Sequence, residues 1–338
     1  MQNNLPVYQH PALTVLVDDS QSFLSSLSFQ LAPQFGCKTF GDGEAALHWL
    51  REAEKKRADS DLATIRVNYD EDGDLLERRN VSLYLDRIYR TVMDRQRFDT
   101  PAVLVVDYAM PGMNGVELCA LCQDMPIKKI LLTGQADEKI AINAFNRKLI
   151  DCFISKSDPG AIDFLRAEIP RLQRAFFDER THTLKDLLAR HIYSYLYDPA
   201  VGELTEELRK RYRFVEHYLF PNPPGILFFD ERGRATLMVI ETAEGLTAHY
   251  EIALDQGAPQ ELLSGLKEFR LVPFFSDTAG TYLKEIGDAW LSYCLPPQVC
   301  RGRQTYYWAL FDLPAHYLQG HVYSYAEYQL DRQAGGTL

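Results

Sequence analysis

The chain reads as a doubly wound α/β domain on a five-stranded parallel sheet, followed by a second, α+β domain. Three observations predict this. Between residues 13 and 170, runs that are apolar throughout alternate with helical patterns, the mark of a parallel sheet covered on both faces. Several of those runs end in an acidic or polar residue. Past about residue 190 the alternation gives way to hairpin and helix patterns. At 338 residues the chain also exceeds what one compact core accommodates.

The elements follow in order. "LTVLVD" (13–18) is a buried strand, and Phe23, Leu24, Leu27 and Leu31 after it fall at helical spacing. "CKTF" (37–40) is the second strand, with a helix starting near Asp42. "AVLVVD" (102–107) is the third strand, followed by "GVELCALCQD". "KKILLTG" (128–134) and "IDCFISK" (150–156) are the fourth and fifth, each with a helix behind it. In such sheets the site lies at the carboxyl ends of the strands. Strand one ends in Asp18 and Asp19, strand three in Asp107, strand four in Thr133 and strand five in Lys156.

A carboxylate driven to the tip of a buried strand costs several kcal/mol unless it is paired or metal-bound. Three clustered carboxylates repel one another, and a hard divalent cation such as Mg²⁺ relieves that repulsion while retaining waters and phosphate oxygens. Lys156 adds a point positive charge suited to a phosphoryl oxygen, and Thr133 a hydroxyl. A carboxylate beside a metal and a lysine is equipment for forming an aspartyl-phosphate.

The stretches "VLVDDS", "VVDYAMPGMNGVEL", "LLTG" and "FISKSD" resemble, in order, those of the response-regulator receiver family. The resemblance covers roughly 11–170 and implies a flavodoxin-like (CheY-like) fold. It implies Asp107 as phosphoacceptor. For Mg²⁺ it implies Asp19 and Asp107 as direct ligands, Asp18 acting through water, and the backbone carbonyl of Ala109. It makes Thr133 the switch hydroxyl, Lys156 the motif lysine and Phe153 the aromatic that swings inward on activation. From the residues alone, Phe153 reads equally as core. Cys119 and Cys122 form a CxxC on a helix and read as core packing.

The expected division is a receiver domain over 1–165, a helical linker over 166–190 and an α+β output domain over 191–338. The receiver carries an insertion at about 52–100, where a connection of about 2–6 residues would suffice. "DEDGD" (70–74) suggests a hairpin tip. Its alternating acids imitate a calcium loop, but Val81 stands where that loop needs Glu. Residues 81–98 read as an amphipathic helix. In 161–192 the apolar residues keep helical periodicity, with Pro170 expected to kink or restart the helix. Such a helix packs within its own chain or pairs with a second copy.

In the second domain, "PPGILFFDERGRATLMVIE" reads as a hairpin turning at Asp230–Arg234. "TAHYEIALD" reads as a strand, "PQELLSGLKEF" and "TAGTYLKEIGDAWLSYCL" as helices, and "QTYYWALFDLP" as a strand. "DQGA" (255–258) and "RGR" (301–303) fall in the order of two motifs of diadenylate-cyclase-like nucleotidyltransferases. That resemblance implies a nucleotide site at Gly257, Ala258, Arg301 and Arg303. Gln256 replaces the motif's metal-binding Asp, however, and Gly302 its His. Read without the resemblance, these residues are a turn and surface charges.

From Arg190 onward 13 Lys/Arg face 19 Asp/Glu, and the whole chain carries a net −11, which argues against direct DNA binding. No apolar run reaches the length needed to span a membrane, and the N-terminus has no signal-peptide pattern, so a cytoplasmic location is expected. Six cysteines without scaffold spacing fit reduced thiols. The reading is a two-component response regulator, phosphorylated by a sensor histidine kinase or phosphotransfer protein, with phosphorylation driving homodimer formation or a switch in output-domain activity. The layout of receiver, long insertion and acidic output domain also resembles Lqs-type quorum-sensing response regulators. The alternative is a phosphorylation-gated nucleotide-binding or degenerate nucleotidyltransferase output. No enzyme motif appears beyond the receiver's own phosphorylation and dephosphorylation.

Overall fold

A computed structural model describes residues 5–32, 34–61, 65–69, 79–134, 138–190, 192–278 and 280–335. The first elements are β1 (Tyr8–Gln9), β2 (Leu13–Val17), α1 (Gln21–Leu31), β3 (Gly36–Phe40), α2 (Gly43–Asp61), β4 (Ile65–Tyr69), β5 (Arg79–Leu83) and α3 (Asp86–Arg90). Next come β6 (Pro101–Asp107), α4 (Gly115–Leu121), β7 (Lys128–Thr133), α5 (Glu138–Asn146), β8 (Cys152–Ser155), α6 (Ala161–Ala189) and α7 (Pro199–Tyr212). The chain continues through β9 (Phe214–Phe220), β10 (Gly225–Asp230), β11 (Ala235–Glu241), α8 (Ala243–Asp255) and α9 (Gln260–Lys267). It ends with β12 (Val272–Pro273), β13 (Cys294–Leu295), β14 (Gln298–Arg301), β15 (Thr305–Asp312) and α10 (Tyr325–Gly335).

These elements form two compact units that interleave along the chain. One comprises Met1–Gln9, Leu85–Met93 and His182–Glu327, the other His10–Tyr84, Asp94–Thr181 and Tyr328–Leu338. The expected linear division at 165 and 191 thus differs from the structure in three places. The N-terminal strand and part of the insertion join the second unit, the C-terminal helix returns to the first, and the linker helix α6 is divided at Thr181/His182.

The α/β unit holds the expected five-stranded sheet, in the order β3-β2-β6-β7-β8 and parallel throughout. Every residue of β2 and β6 is buried, as a sheet covered on both faces requires. Val15, Val17, Leu104, Val106 and Leu131 form one core layer with Leu50 of α2 and Leu118, Cys119 and Cys122. The CxxC is therefore core packing, and burial pushes the Cys119 thiol up to about 12 and Cys122 to about 11. The C-terminal turns of α10 belong here too. Tyr328 donates to Asp99 at 2.6 Å and sets its ring at a tilt against Phe98, Arg332 donates to the Cys37 carbonyl, and Arg95 pairs with Asp331 at 2.9 Å.

Within the insertion, β4 and β5 pair as an antiparallel hairpin; its expected tip, 70–78, lies outside the described residues. The helix expected over 81–98 is broken. It begins as β5, becomes the single turn α3, and continues as short 3₁₀ turns over Thr91–Met93 and Arg95–Asp99. Asp94 interrupts it, because its carboxylate accepts the Gln96 N–H at 2.8 Å with an extended backbone. By contrast α6 runs unbroken through Pro170.

The α+β unit is an antiparallel six-stranded sheet in the order β1-β9-β10-β11-β15-β14, beside a small β12-β13 ribbon. The predicted hairpin is β10–β11. The Asp230 carboxylate accepts the backbone N–H groups of Arg232 and Arg234 at 2.9 Å, and Gly233 adopts φ +79°, which glycine permits without strain. "TAHYEIALD" is not a strand but the body of α8, capped by Thr242, whose hydroxyl accepts the Gly245 N–H at 3.1 Å. The helix expected over 278–295 is a 3₁₀ segment, Lys284–Tyr293, broken at Gly287 with φ 51° and ψ −133°.

Candidate functional site

The site is built by strand ends and by the first turns behind them. The sheet register sets Asp107 opposite Leu132, one residue before Thr133, and Thr133 opposite Ser155. The Lys156 N–H donates to the Thr133 carbonyl at 2.9 Å, carrying the pairing one residue further. The Tyr108 N–H does the same to Leu132 at 2.9 Å. These bonds align Asp107, Thr133 and Lys156 along one edge.

The turn after Asp107 is fixed by Gly115. A Cβ there would stand 2.2 Å from the Asp107 carbonyl oxygen, so only glycine lets α4 begin against that peptide. Asn114 then caps α4 in a reciprocal capping box with Glu117, at 2.9 and 3.0 Å. The carbonyl of Ala109, expected as a metal ligand, lies in this loop.

The oxygens of Asp18, Asp19 and Asp107 lie within 4.8 Å of one another. The Lys156 ammonium sits among them, 2.6 Å from Asp18 Oδ2 and 2.9 Å from Asp107 Oδ1. Asp18 is spent: its other oxygen accepts the Ser20 N–H at 2.9 Å. Asp19 and the second oxygen of Asp107 keep no hydrogen bond among the described residues. The three carboxylates therefore form a donor set that fits a hard, oxygen-seeking divalent cation. Burial works against the charge of Lys156, yet hydrogen bonds and attraction from Asp18 and Asp107 outweigh it and raise its pKa above the ordinary value.

Thr133 is buried, its hydroxyl donating only weakly to the Ile154 carbonyl at 3.4 Å. Phe153 is half-buried and packs against the core cluster of Leu131 and Ala141. Four of the five strand-end residues named from the sequence, Asp18, Asp19, Asp107 and Lys156, thus meet in one place, and Thr133 ends the strand beside Asp107. Two neighbours were missed. Ser20 caps α1, accepting the Phe23 N–H at 3.4 Å, and the Phe23 ring centroid lies 4.6 Å from Lys156 Nζ. A Ser directly after the acidic pair is a readable cap signal; the facing of Phe23 on Lys156 depends on strands far apart in sequence.

The second candidate set does not gather in this way. Gly257, with φ +67°, and Ala258 form the turn between α8 and α9, and Ala258 belongs to the core of Leu262, Leu266 and Trp290. Arg301 and Arg303 are exposed at the β14–β15 turn. No hydrogen bond or ion pair joins the two pairs among the described residues. Gly302 has a structural reason of its own. A Cβ there would meet both Asp198 oxygens at 2.2 and 2.3 Å, because Asp198 accepts the Arg303 N–H at 2.6 Å while capping α7. A histidine at this position would displace that carboxylate.

No family model matches the chain, and no curated protein matches it. Among solved structures it is similar to the Legionella pneumophila response regulator LqsR, with 29% identity and a TM-score of 0.77 over 100% of this chain and 99% of that one. The receiver domain of Francisella response regulator 1452 covers 48% of this chain and 97% of its own, at 16% identity and a TM-score of 0.31. The receiver domain of a putative LuxO repressor protein from Vibrio parahaemolyticus covers 53% and 97%, at 15% identity and 0.33. Neither of these two adds weight at such scores. No helix among the described residues is long and apolar enough to cross a membrane. The chain thus combines a response-regulator receiver fold with an α+β unit, and along its whole length it is similar to the Lqs response regulator LqsR.

Proposed function

We propose that this chain is a two-component response regulator that accepts a phosphoryl group on Asp107. One observation carries the reading: Asp18, Asp19 and Asp107 converge within 4.8 Å, with Lys156 bridging two of them, at the strand ends of a receiver fold. The Asp107 carboxylate supplies the electron pair for a new oxygen–phosphorus bond. The donor's bond to phosphorus, P–N in a phosphohistidine, breaks with its electrons leaving on the imidazole, which takes up a proton. Lys156 faces the negative charge of the phosphoryl oxygens, and Thr133 offers its hydroxyl to the product. Asp19, Asp107 and the Ala109 carbonyl would hold Mg²⁺, with Asp18 reaching it through water. When bound, the ion neutralises charge on the transferring group.

The added group carries about −1.5 to −2 charges and several acceptor oxygens. Thr133 turning toward it leaves room for Phe153, which shifts an existing equilibrium in the receiver toward a homodimer or a released output unit. The donor is a sensor histidine kinase or phosphotransfer protein. Similarity to LqsR supports placing the chain in Lqs-type quorum-sensing signalling. The test is incubation with acetyl phosphate with and without Mg²⁺, reading intact mass and solution mass. Wild type gains one phosphoryl group only with Mg²⁺, and Asp107→Asn gains none. Equal labelling of the two proteins would refute the reading.

A further inference from the structure

The ammonium of Lys156 has an aromatic neighbour besides its two carboxylate partners. Asp18 Oδ2 and Asp107 Oδ1 hold it at 2.6 and 2.9 Å, and the Phe23 ring stands over it with the centroid at 4.6 Å. The ring is delivered there by the chain itself. Asp18 fixes the Ser20 N–H, Ser20 caps α1 through the Phe23 N–H, and side chains in a first turn lean toward the helix N-terminus, here the acidic edge.

We propose that Phe23 is a positioning residue for phosphoryl transfer, its ring face holding the Lys156 ammonium over Asp107. This rests on the phosphorylation reading and adds a residue to it. The negative face of the ring attracts the cation, so the charge stays aimed at the carboxylates. As the oxygen–phosphorus bond to Asp107 forms and the P–O bond of acetyl phosphate breaks toward acetate, Lys156 meets the phosphoryl oxygens without first reorienting. A cation–π contact of this kind is worth about 2- to 30-fold in an equilibrium or rate.

The experiment replaces Phe23 by phenylalanines carrying one, two and three ring fluorines, which keep the shape and drain the ring face of charge. Phosphorylation of Asp107 by acetyl phosphate with Mg²⁺ should slow stepwise, by about 2- to 30-fold in all, while the protein stays folded at the assay temperature. Phe23→Leu should slow it as far, and Phe23→Trp should restore it. A flat fluorine series, or Phe23→Leu at the wild-type rate, overturns the proposal and leaves the phosphorylation reading intact. A wild type that takes up no phosphate overturns both. NMR of the unphosphorylated protein checks the placement separately: ring current should displace the Lys156 ε-methylene protons upfield in wild type but not in Phe23→Leu. No displacement in wild type overturns the proposal whatever the kinetics.

Discussion

Replacing Lys156 by methionine removes the cation from the acidic edge while keeping most of its apolar stem. Asp18 and Asp107 are then left with side chains only 1% and 7% exposed and no neutralising partner. Removing one member of a buried ion pair costs about 3–5 kcal/mol, because the remaining charge stays desolvated. A second estimate agrees. Two carboxylates at the 4.8 Å limit of this cluster repel by about 3 kcal/mol at an effective dielectric constant of about 20. The variant should therefore lose about 3–5 kcal/mol of stability in metal-free buffer. Mg²⁺ should return a large part of it, about 2.7 kcal/mol at a hundredfold excess over the dissociation constant. Wild type should gain less, since a cation already sits there. Urea unfolding with hydrogen exchange read at β2 and β6 reports the α/β unit alone. A variant as stable as wild type without metal, or one that Mg²⁺ leaves unmoved, would refute the electrostatic account of the site.

Three further outcomes are expected. Gly115→Ala puts a methyl group 2.2 Å from the Asp107 carbonyl oxygen, so it should cost about 1–3 kcal/mol in urea unfolding and slow phosphorylation of Asp107 together. Tyr328→Phe removes the 2.6 Å bond to the exposed Asp99 carboxylate; it should cost about 1 kcal/mol and speed proteolytic release of the C-terminal helix. Burial opposes the charge of Asp230, but bonds from Arg234 and Arg232 outweigh it and hold its carboxyl below the ordinary 3.8. Its contribution is therefore present above pH 3.8 and fades as pH falls through the lowered value. The stability difference between wild type and Asp230→Asn, followed by urea unfolding across pH, should close in that acid range.

Much of the α/β unit was legible because its strands are buried on both faces and end in chemistry. A run such as "AVLVVD" fits few other structures, and Asp18, Asp19, Asp107, Thr133 and Lys156 follow from strand ends alone. The second unit was less legible. "TAHYEIALD" carries a Tyr and an Ile like a strand, yet it lies in α8, which buries Leu246 and Ala253, two helical turns apart, and is capped by Thr242. The cue was present in the Thr-x-x-Gly start and was outweighed by the Tyr and Ile of the run. Asp94 broke the helix expected in the insertion by bonding its own backbone, which a periodicity count does not see. The destinations of β1 and of α10 were not legible at all, since each is set by partners hundreds of residues away, as with Tyr8 opposite Tyr218 and Tyr328 against Phe98. Gly302 seemed a lost catalytic position and proves to be the space that Asp198 needs.

Chemical trapping shows whether Asp107 is the phosphoacceptor. Protein treated with acetyl phosphate and Mg²⁺ is reduced with borohydride, which converts an aspartyl-phosphate to homoserine, and the peptides are then sequenced. Homoserine at position 107 and at no other carboxylate is the predicted result. Homoserine at Asp18 or Asp19, or an unmodified peptide 102–123 from protein that has gained phosphate, would contradict the account.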